Sequence, residues 1–246
     1  MEPISVSTIV IICICVFFTG IAKGGLAGAS SVIVPVLALT LGGKDSVGFL
    51  FPISLGASFI SALRNREDVN WQALAKVLPF ALAGICLGAF LGEIADEKQF
   101  FILLAIVIII GCILSIMQHY NHTLFKDNHG IFVIIFGLLS GFAAMVGNVT
   151  GPLISTLFIL QRFPKKQFVT TYVWFCFITD VLKIPFHVFY WHTITSQTLI
   201  RDFYYIPLMI FGVFCGNWLI NKLPDNLYKT IILILSCISA IVLLFA

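Results

Sequence analysis

FFTGIAKGGLAGASSVIVP, Phe17 to Pro35, and LLSGFAAMVGNVTGP, Leu138 to Pro152, are glycine-rich stretches in an otherwise apolar chain, and one can be laid over the other. Gly20, Gly24, Val32 and Pro35 fall on Gly137, Gly141, Val149 and Pro152 at one constant offset. Glycine and proline identities weigh more here than leucine or valine ones, because apolar segments match one another by composition alone. The correspondence continues outward at slightly larger offsets. Phe49, Leu63 and Arg64 fall on Phe168, Leu182 and Lys183, and Pro79, Gly84, Gly88, Leu91 and Phe100 fall on Pro207, Gly212, Gly216, Leu219 and Tyr228. The chain therefore reads as an internal duplication, with its larger insertion near HVFYWHTIT, residues 187–195.

Of the 246 residues, 60% are hydrophobic and only 10% are charged, and the mean hydropathy is +1.07. A soluble domain carries roughly 25% charged residues, so a soluble enzyme and a disordered chain are both excluded. The 19 glycines and 9 prolines are scattered through apolar runs, as in membrane helices, where neighbours re-satisfy a broken backbone. A net charge of +3, with the basic residues in short polar gaps, speaks against a nucleic-acid partner. Cys13, Cys15, Cys86, Cys112, Cys176, Cys215 and Cys237 lie in apolar runs without metal spacing and read as small apolar packers. No metal site and no cofactor is expected, and no phosphate-loop, HExxH, nucleophile-elbow or haem motif occurs.

Apolar runs bounded by charges or Gly/Pro clusters give ten segments, at about 4–22, 24–41, 46–63, 74–92, 100–117, 130–147, 149–162, 167–190, 203–221 and 228–246. Most approach the roughly 20 residues that span a bilayer. The first run precedes Lys23, the first basic residue, instead of following a charged region, so it reads as a membrane segment and not as a cleaved leader. QHYNHTLFKDNH, Gln118 to His129, is the one polar linker. The expected organisation is transmembrane repeat 1 over 1–118, a cytoplasmic linker over 119–129 and transmembrane repeat 2 over 130–246. Its histidines, His119, His122 and His129, read as solvated loop. Five segments per half is an odd number, so the second half enters the membrane from the opposite side. The expected fold class is thus an all-α, polytopic integral membrane protein, an inverted repeat of two five-segment halves with Gly-broken or re-entrant helices. That is the architecture of secondary transporters, which bind substrate near the midplane on discontinuous helices.

Arg64, Arg66, Lys76, Lys126, Arg162, Lys165, Lys166, Lys222 and Lys229 fall on one side of this topology, and Lys44, Lys98 and Arg201 on the other. The positive-inside rule makes the first side cytoplasmic and leaves both termini extracytoplasmic. Lys23 and Lys183 are left over as candidates for burial.

The chemistry is expected at the two breaks. Gly24, Gly25 and Gly28 allow positive φ and close backbone approach, so a helix can stop and restart, presenting free N–H groups to an anion. Lys23 would add a cation, and Ser30 and Ser31 would add hydroxyl donors one turn on. In the second half Ser140 aligns with Lys23 and Asn148 with Ser31. The expected substrate-binding set is Lys23, Gly24, Gly25, Ser30, Ser31, Asn148, Thr150 and Lys183, with helix breaks at Gly28, Pro35, Gly147, Gly151 and Pro152. The bland alternative is that the glycines only allow tight helix packing and Lys23 snorkels to the interface.

Glycine-rich, Pro-terminated segments in the first helices of two duplicated halves resemble the sulfite exporter TauE/SafE family, also called the four-toluene sulfonate uptake permease family. Where its members often carry a GxGGG-like run, this chain reads GASS, Gly28 to Ser31, and GNVTG, Gly147 to Gly151. The resemblance covers essentially the whole chain. It implies two repeated modules in a bacterial inner membrane and movement of sulfite, sulfonates or related organic anions.

A second polar island is WFCFITDVLKIPFHVFYWH, Trp174 to His192. Asp180 and Lys183 are spaced i,i+3 and Lys183 and His187 i,i+4, so all three share a helical face unless Pro185 kinks it. Ionisable residues at this depth are functional candidates. Asp180 pairs most simply with Lys183, and Asp180 and His187 are the candidate carriers of a coupled proton. The expected function is secondary transport of a small anion, without enzymatic chemistry. The expected partners are that anion, the lipid bilayer and a coupling proton, with no nucleic acid. Two rivals remain: an intramembrane enzyme using Asp180, His187 and His192, and a non-transporting assembly subunit.

Overall fold

A computed structural model describes residues 6–27, 29–96, 98–100 and 129–224, with isolated positions between 102 and 113 and between 227 and 234. The linker before His129, most of the segments expected at 100–117 and 228–246, and Gly28 lie outside the described residues. Among the described residues the regular structure is helical throughout. The first half holds α1 (Val6–Lys23), α2 (Ala29–Leu41), α3 (Gly43–Arg64) and α4 (Trp71–Ile94). The second holds α5 (His129–Gly147), α6 (Gly151–Leu160), α7 (Lys165–Pro185), α8 (Ser196–Phe203) and α9 (Ile206–Lys222). One π-helical stretch, Phe186–Tyr190, prolongs α7.

Local chemistry accounts for the boundaries. Asn70 caps α4 by accepting a hydrogen bond from the Ala73 N–H at 3.0 Å. Gly151 and Pro152 open α6, where a proline's missing N–H is no loss. One expectation needs correction. Pro35 does not break a helix: it sits inside α2, as Pro52 does in α3 and Pro79 in α4. A proline removes one backbone bond, and among packed neighbours the helix continues on either side of it. The stretch between the segments expected to end at 190 and to start at 203 carries no expected element. It contains α8, opened by a capping box in which Thr195 and Thr198 satisfy each other's backbone N–H groups.

Five helices among the described residues are long and apolar enough to cross a membrane: Val6–Lys23, Asp45–Arg64, Trp71–Ile94, Gly130–Gly147 and Lys165–Tyr190. The outer faces fit a lipid solvent. Val10, Phe90, Ile94, Ile131 and Phe211 are exposed, while Lys23, Asp180 and Lys183 are each no more than 2% exposed. In water the two groups would trade places.

The halves pack by exchange. α1 lies along α9 and α4 lies along α5, and these are the two most extensive helix contacts. Both run parallel: Gly20 meets Met209 and Gly212 while Gly24 meets Val213 and Gly216, and Gly84 meets Leu138 while Gly88 meets Met145. α1 corresponds to α5 and α9 to α4 in the aligned sequence, so exchanging the halves turns one pair into the other. The glycines that carry the sequence match are therefore the contact points of two paired small-residue seams, which let helix backbones touch. Between the seams α3 and α7, also counterparts, run antiparallel. Phe51 stacks on His187 near one end, and Trp174 donates to the Asn65 carbonyl at 2.8 Å near the other.

Candidate functional site

α1 ends at Lys23 because the chain turns there. Gly25 has φ +120°, the Gly25 N–H bonds to the Ala22 carbonyl, and the Leu26 N–H bonds back to Ile21. This is a Schellman-type stop, which needs a residue without a Cβ at the turn. The Gly25 carbonyl then accepts a 2.6 Å hydrogen bond from the Tyr228 hydroxyl. At the matching break α5 ends at Gly147, and Asn148 takes the left-handed φ of +52°, which asparagine tolerates better than most residues.

The lysine that ends α1 projects to the middle of α7. Lys23 Nζ donates to Asp180 Oδ2 at 2.9 Å, and Lys183 Nζ donates to Asp180 Oδ1 at 2.8 Å. Ser58 and Ser54 on α3 also donate to Oδ2, at 2.9 and 3.3 Å. Lys183 Nζ reaches on to the Ala144 carbonyl at 3.1 Å and to Asn148 Oδ1 at 2.9 Å. It therefore covers the C-terminal end of α5, where the Ala144 carbonyl also accepts from the Asn148 N–H and the helix dipole favours a cation. Lys23 occupies the last turn of α1 itself. Each break thus holds one ammonium, although Ser140, the residue aligned with Lys23, bonds within its own helix to the Gly137 carbonyl. The second cation comes from α7 instead.

The cluster draws on α1, α3, α5 and α7, so neither half forms it alone. Four donors converge on one buried carboxylate, and two of them are ammoniums. Isolated charges at this depth are unfavourable by several kcal/mol each; here pairing offsets all but one positive charge.

The other expected residues divide. Ser30 is buried in the first turn of α2 with no partner for its hydroxyl among the described residues, and the side chain of Ser31 lies outside the described set. Thr150 is buried against Cys176 on α7, with Oγ1 to Sγ at 3.4 Å. Gly24 faces α9: a Cβ there would come within 2.7 Å of the Val213 carbonyl oxygen, so packing explains it. Lys23 does not snorkel. His187 continues the face of Asp180 and Lys183 past Pro185, where the α-helix gives way to the π-turn. Its ring stacks on Phe51 at 3.9 Å, Nδ1 lies 2.8 Å from Thr193 Oγ1, and Nε2 has no partner among the described residues. His192 is remote from this cluster, in the lining of a separate cavity.

Two cavities lie at opposite ends of α3. One, of about 640 Å³, is lined by Arg64, Asn65, Arg66, Lys165, Lys166 and Asn217, among others. The other, of about 580 Å³, is lined by Asp45, Phe49, Glu93, Trp191, His192 and Arg201, among others. Phe51, Ser54, Ser58, Ser61 and Asn65 recur on α3 at helical spacing, so one stripe connects the two ends. Toward the second cavity the stripe is closed by Phe51 stacked on His187 with Trp191 edge-on at 5.3 Å. Toward the first, Gly25 abuts Val169 and Ile220, which line that cavity.

Ser54 and Ser58 were not among the residues expected from the sequence. Their signal was available as hydroxyls at i, i+4 and i+7 in SLGASFIS, Ser54 to Ser61, but serines are ordinary in membrane helices.

A family model described as sulfite exporter TauE/SafE matches residues 12–243. No curated protein and no solved structure matches the chain. With nearly its whole length matched, the chain belongs to the sulfite exporter TauE/SafE family and is a multi-pass membrane protein of a transporter family.

Proposed function

We propose that this member of the sulfite exporter TauE/SafE family is a secondary transporter that carries a small anion, such as sulfite or a sulfonate, past the Lys23–Asp180–Lys183 cluster. The observation that carries this reading is the buried pair of ammoniums sharing a single carboxylate, placed between two cavities that open at opposite ends of α3. Lys23 receives the anion on one side of Asp180, Lys183 with Asn148 and the α3 serines hold that carboxylate in place, and the closures at Phe51–His187 and at Gly25–Val169–Ile220 open in turn.

The inverted relation of the halves is part of the same proposal. It is supported by counterparts α3 and α7 running antiparallel, and by seams that exchange when the halves do. Such a pair of states, related by exchanging the halves, is how inverted repeats alternate access around a fixed site. The cavity holding Arg64, Arg66, Lys165 and Lys166 is assigned to the cytoplasmic face of a bacterial inner membrane, by the positive-inside rule. Asp180 and His187 stay the proposed groups for a coupled proton. Since Asp180 already accepts from four donors, taking a proton there requires one ammonium to leave. No covalent chemistry is assigned to the site.

The test is anion flux into liposomes reconstituted with the purified protein. Movement of sulfite or a sulfonate above that of protein-free liposomes, lost in Lys23→Met, is expected. Flux no faster than in protein-free liposomes for every small anion, with stable co-purification of a partner, would favour the assembly-subunit reading.

A further inference from the structure

We infer that the transported species is a monoanion and that Asp180 is the residue that sets this charge preference; the inference rests on the anion-carrier reading above. The argument is a charge count. Among the described residues the charged side chains buried at the centre of the protein are Lys23, Asp180 and Lys183. The other buried carboxylate, Asp202, lies in α8 beside Arg201 at one end of the molecule.

His187 counts as neutral, because an imidazolium donates from both ring nitrogens and its buried Nε2 has no acceptor among the described residues. The helix termini add nothing net. α1 and α5 end at the cluster while α2 and α6 begin beside it, and their partial charges are opposite and similar in size. The interior therefore holds one excess positive charge. A monoanion brings the sum to zero, and a dianion overshoots to an excess negative charge of the same size.

The hydrogen bonds say where that anion sits. Lys183 has three acceptors, Asp180, Ala144 and Asn148, which fill the three N–H bonds of an ammonium. Lys23 has one described acceptor, Asp180. Ser61, one turn from Ser58 on the same face of α3, and Ser30 are buried hydroxyls without partners among the described residues. A substrate oxygen is thus received on the Lys23 side of Asp180. Asp180 acts as a resident counter-ion, a positioning and charge-setting residue.

The experiment is thermal unfolding of the purified full chain at constant ionic strength, titrated with methanesulfonate and with sulfate. These share a tetrahedral sulfur with acceptor oxygens and differ by one charge. Acetate against thiosulfate gives a second comparison. A ligand that binds only the folded state raises the midpoint with concentration. Wild type should bind the monoanion of each pair at least tenfold more tightly. Asp180→Asn, with one more net positive charge, should reverse that order, and Lys23→Gln, with none, should lose both responses. The two variants are independent, so failure of one to fold leaves the other and the wild-type ranking. If sulfate and thiosulfate outrank their partners on wild type, the charge match is wrong while the anion reading stands. If no anion shifts wild type, both fall.

Discussion

Replacing Asp180 should harm the fold far more than replacing Lys23, although the two form one 2.9 Å ion pair. Asp180→Ala strips four donors of their acceptor and leaves two buried ammoniums facing each other. Breaking a buried pair from one side costs about 3–5 kcal/mol, because an uncompensated charge remains. Lys23→Met keeps the stem's length and apolar bulk but removes the excess charge. Asp180 then retains Lys183, Ser54 and Ser58. The lost charge-assisted bond is worth about 1.5–3 kcal/mol, against relief of a desolvation penalty of several kcal/mol per ion. The two nearly cancel, so Lys23→Met should lie within about 1 kcal/mol of wild type. At about 2–4 °C per kcal/mol for a chain of this size, Asp180→Ala should lower the unfolding midpoint by roughly 6–20 °C and Lys23→Met by no more than about 4 °C. The assay is thermal unfolding of purified protein in detergent, without added anion. An equal drop for both variants, or a larger one for Lys23→Met, would refute the claim of one excess buried charge.

Further outcomes follow from the same geometry. Ser58→Ala should cost more than Ser54→Ala in the same assay, up to about 3 kcal/mol, because Ser58 holds Asp180 at 2.9 Å and Ser54 at 3.3 Å. At the α4–α5 seam Gly141→Val should be destabilising by at least the 1–3 kcal/mol typical of overpacking, about what one added methylene costs, since a Cβ there overlaps the Ala81 backbone. Gly130→Val, with nothing within 4 Å, should leave the midpoint near wild type. In α8, burial pushes the Asp202 carboxyl up from 3.8 to about 6 against the pull of Arg201. A carboxyl raised on folding adds stability that is present in full below about pH 4 and is lost as pH climbs through about 6. The contribution is about 3 kcal/mol at the outside, from ~1.4 kcal/mol per pKa unit. Asp202→Asn should flatten the pH dependence of the midpoint across that window, and an unchanged slope would place its cause elsewhere.

What the sequence made legible, and what it did not, follows from how far each signal reaches along the chain. Apolar length and sparse charge are local, so the helices were read close to their observed bounds, as with α5 at 130–147 against His129–Gly147. The pairing of Asp180 with Lys183 was likewise readable, because i,i+3 spacing on one helix guarantees proximity. The bond from Lys23 to the same carboxylate was not, since it joins residues 157 apart through a packing that no local pattern encodes. Ser54 and Ser58 escaped for the same reason. The glycines were legible as landmarks of a repeat but ambiguous in role: Gly25 makes the turn, whereas Gly24 makes room for α9. Pro35 misled because proline ends helices in water more readily than inside a packed protein. α8 is short and polar on one face, so it fell below the apolar threshold that marked its neighbours.

The most direct test of the central claim, that Lys23 receives the anion, is a calorimetric titration of purified wild type and Lys23→Met with sulfite and methanesulfonate at matched ionic strength. Saturable binding of one anion per chain in wild type, at least tenfold weaker in a Lys23→Met protein that keeps its unfolding midpoint, is the expected result. Binding of equal strength in the two proteins would contradict it, and would move the anion's path away from the Lys23–Asp180–Lys183 cluster.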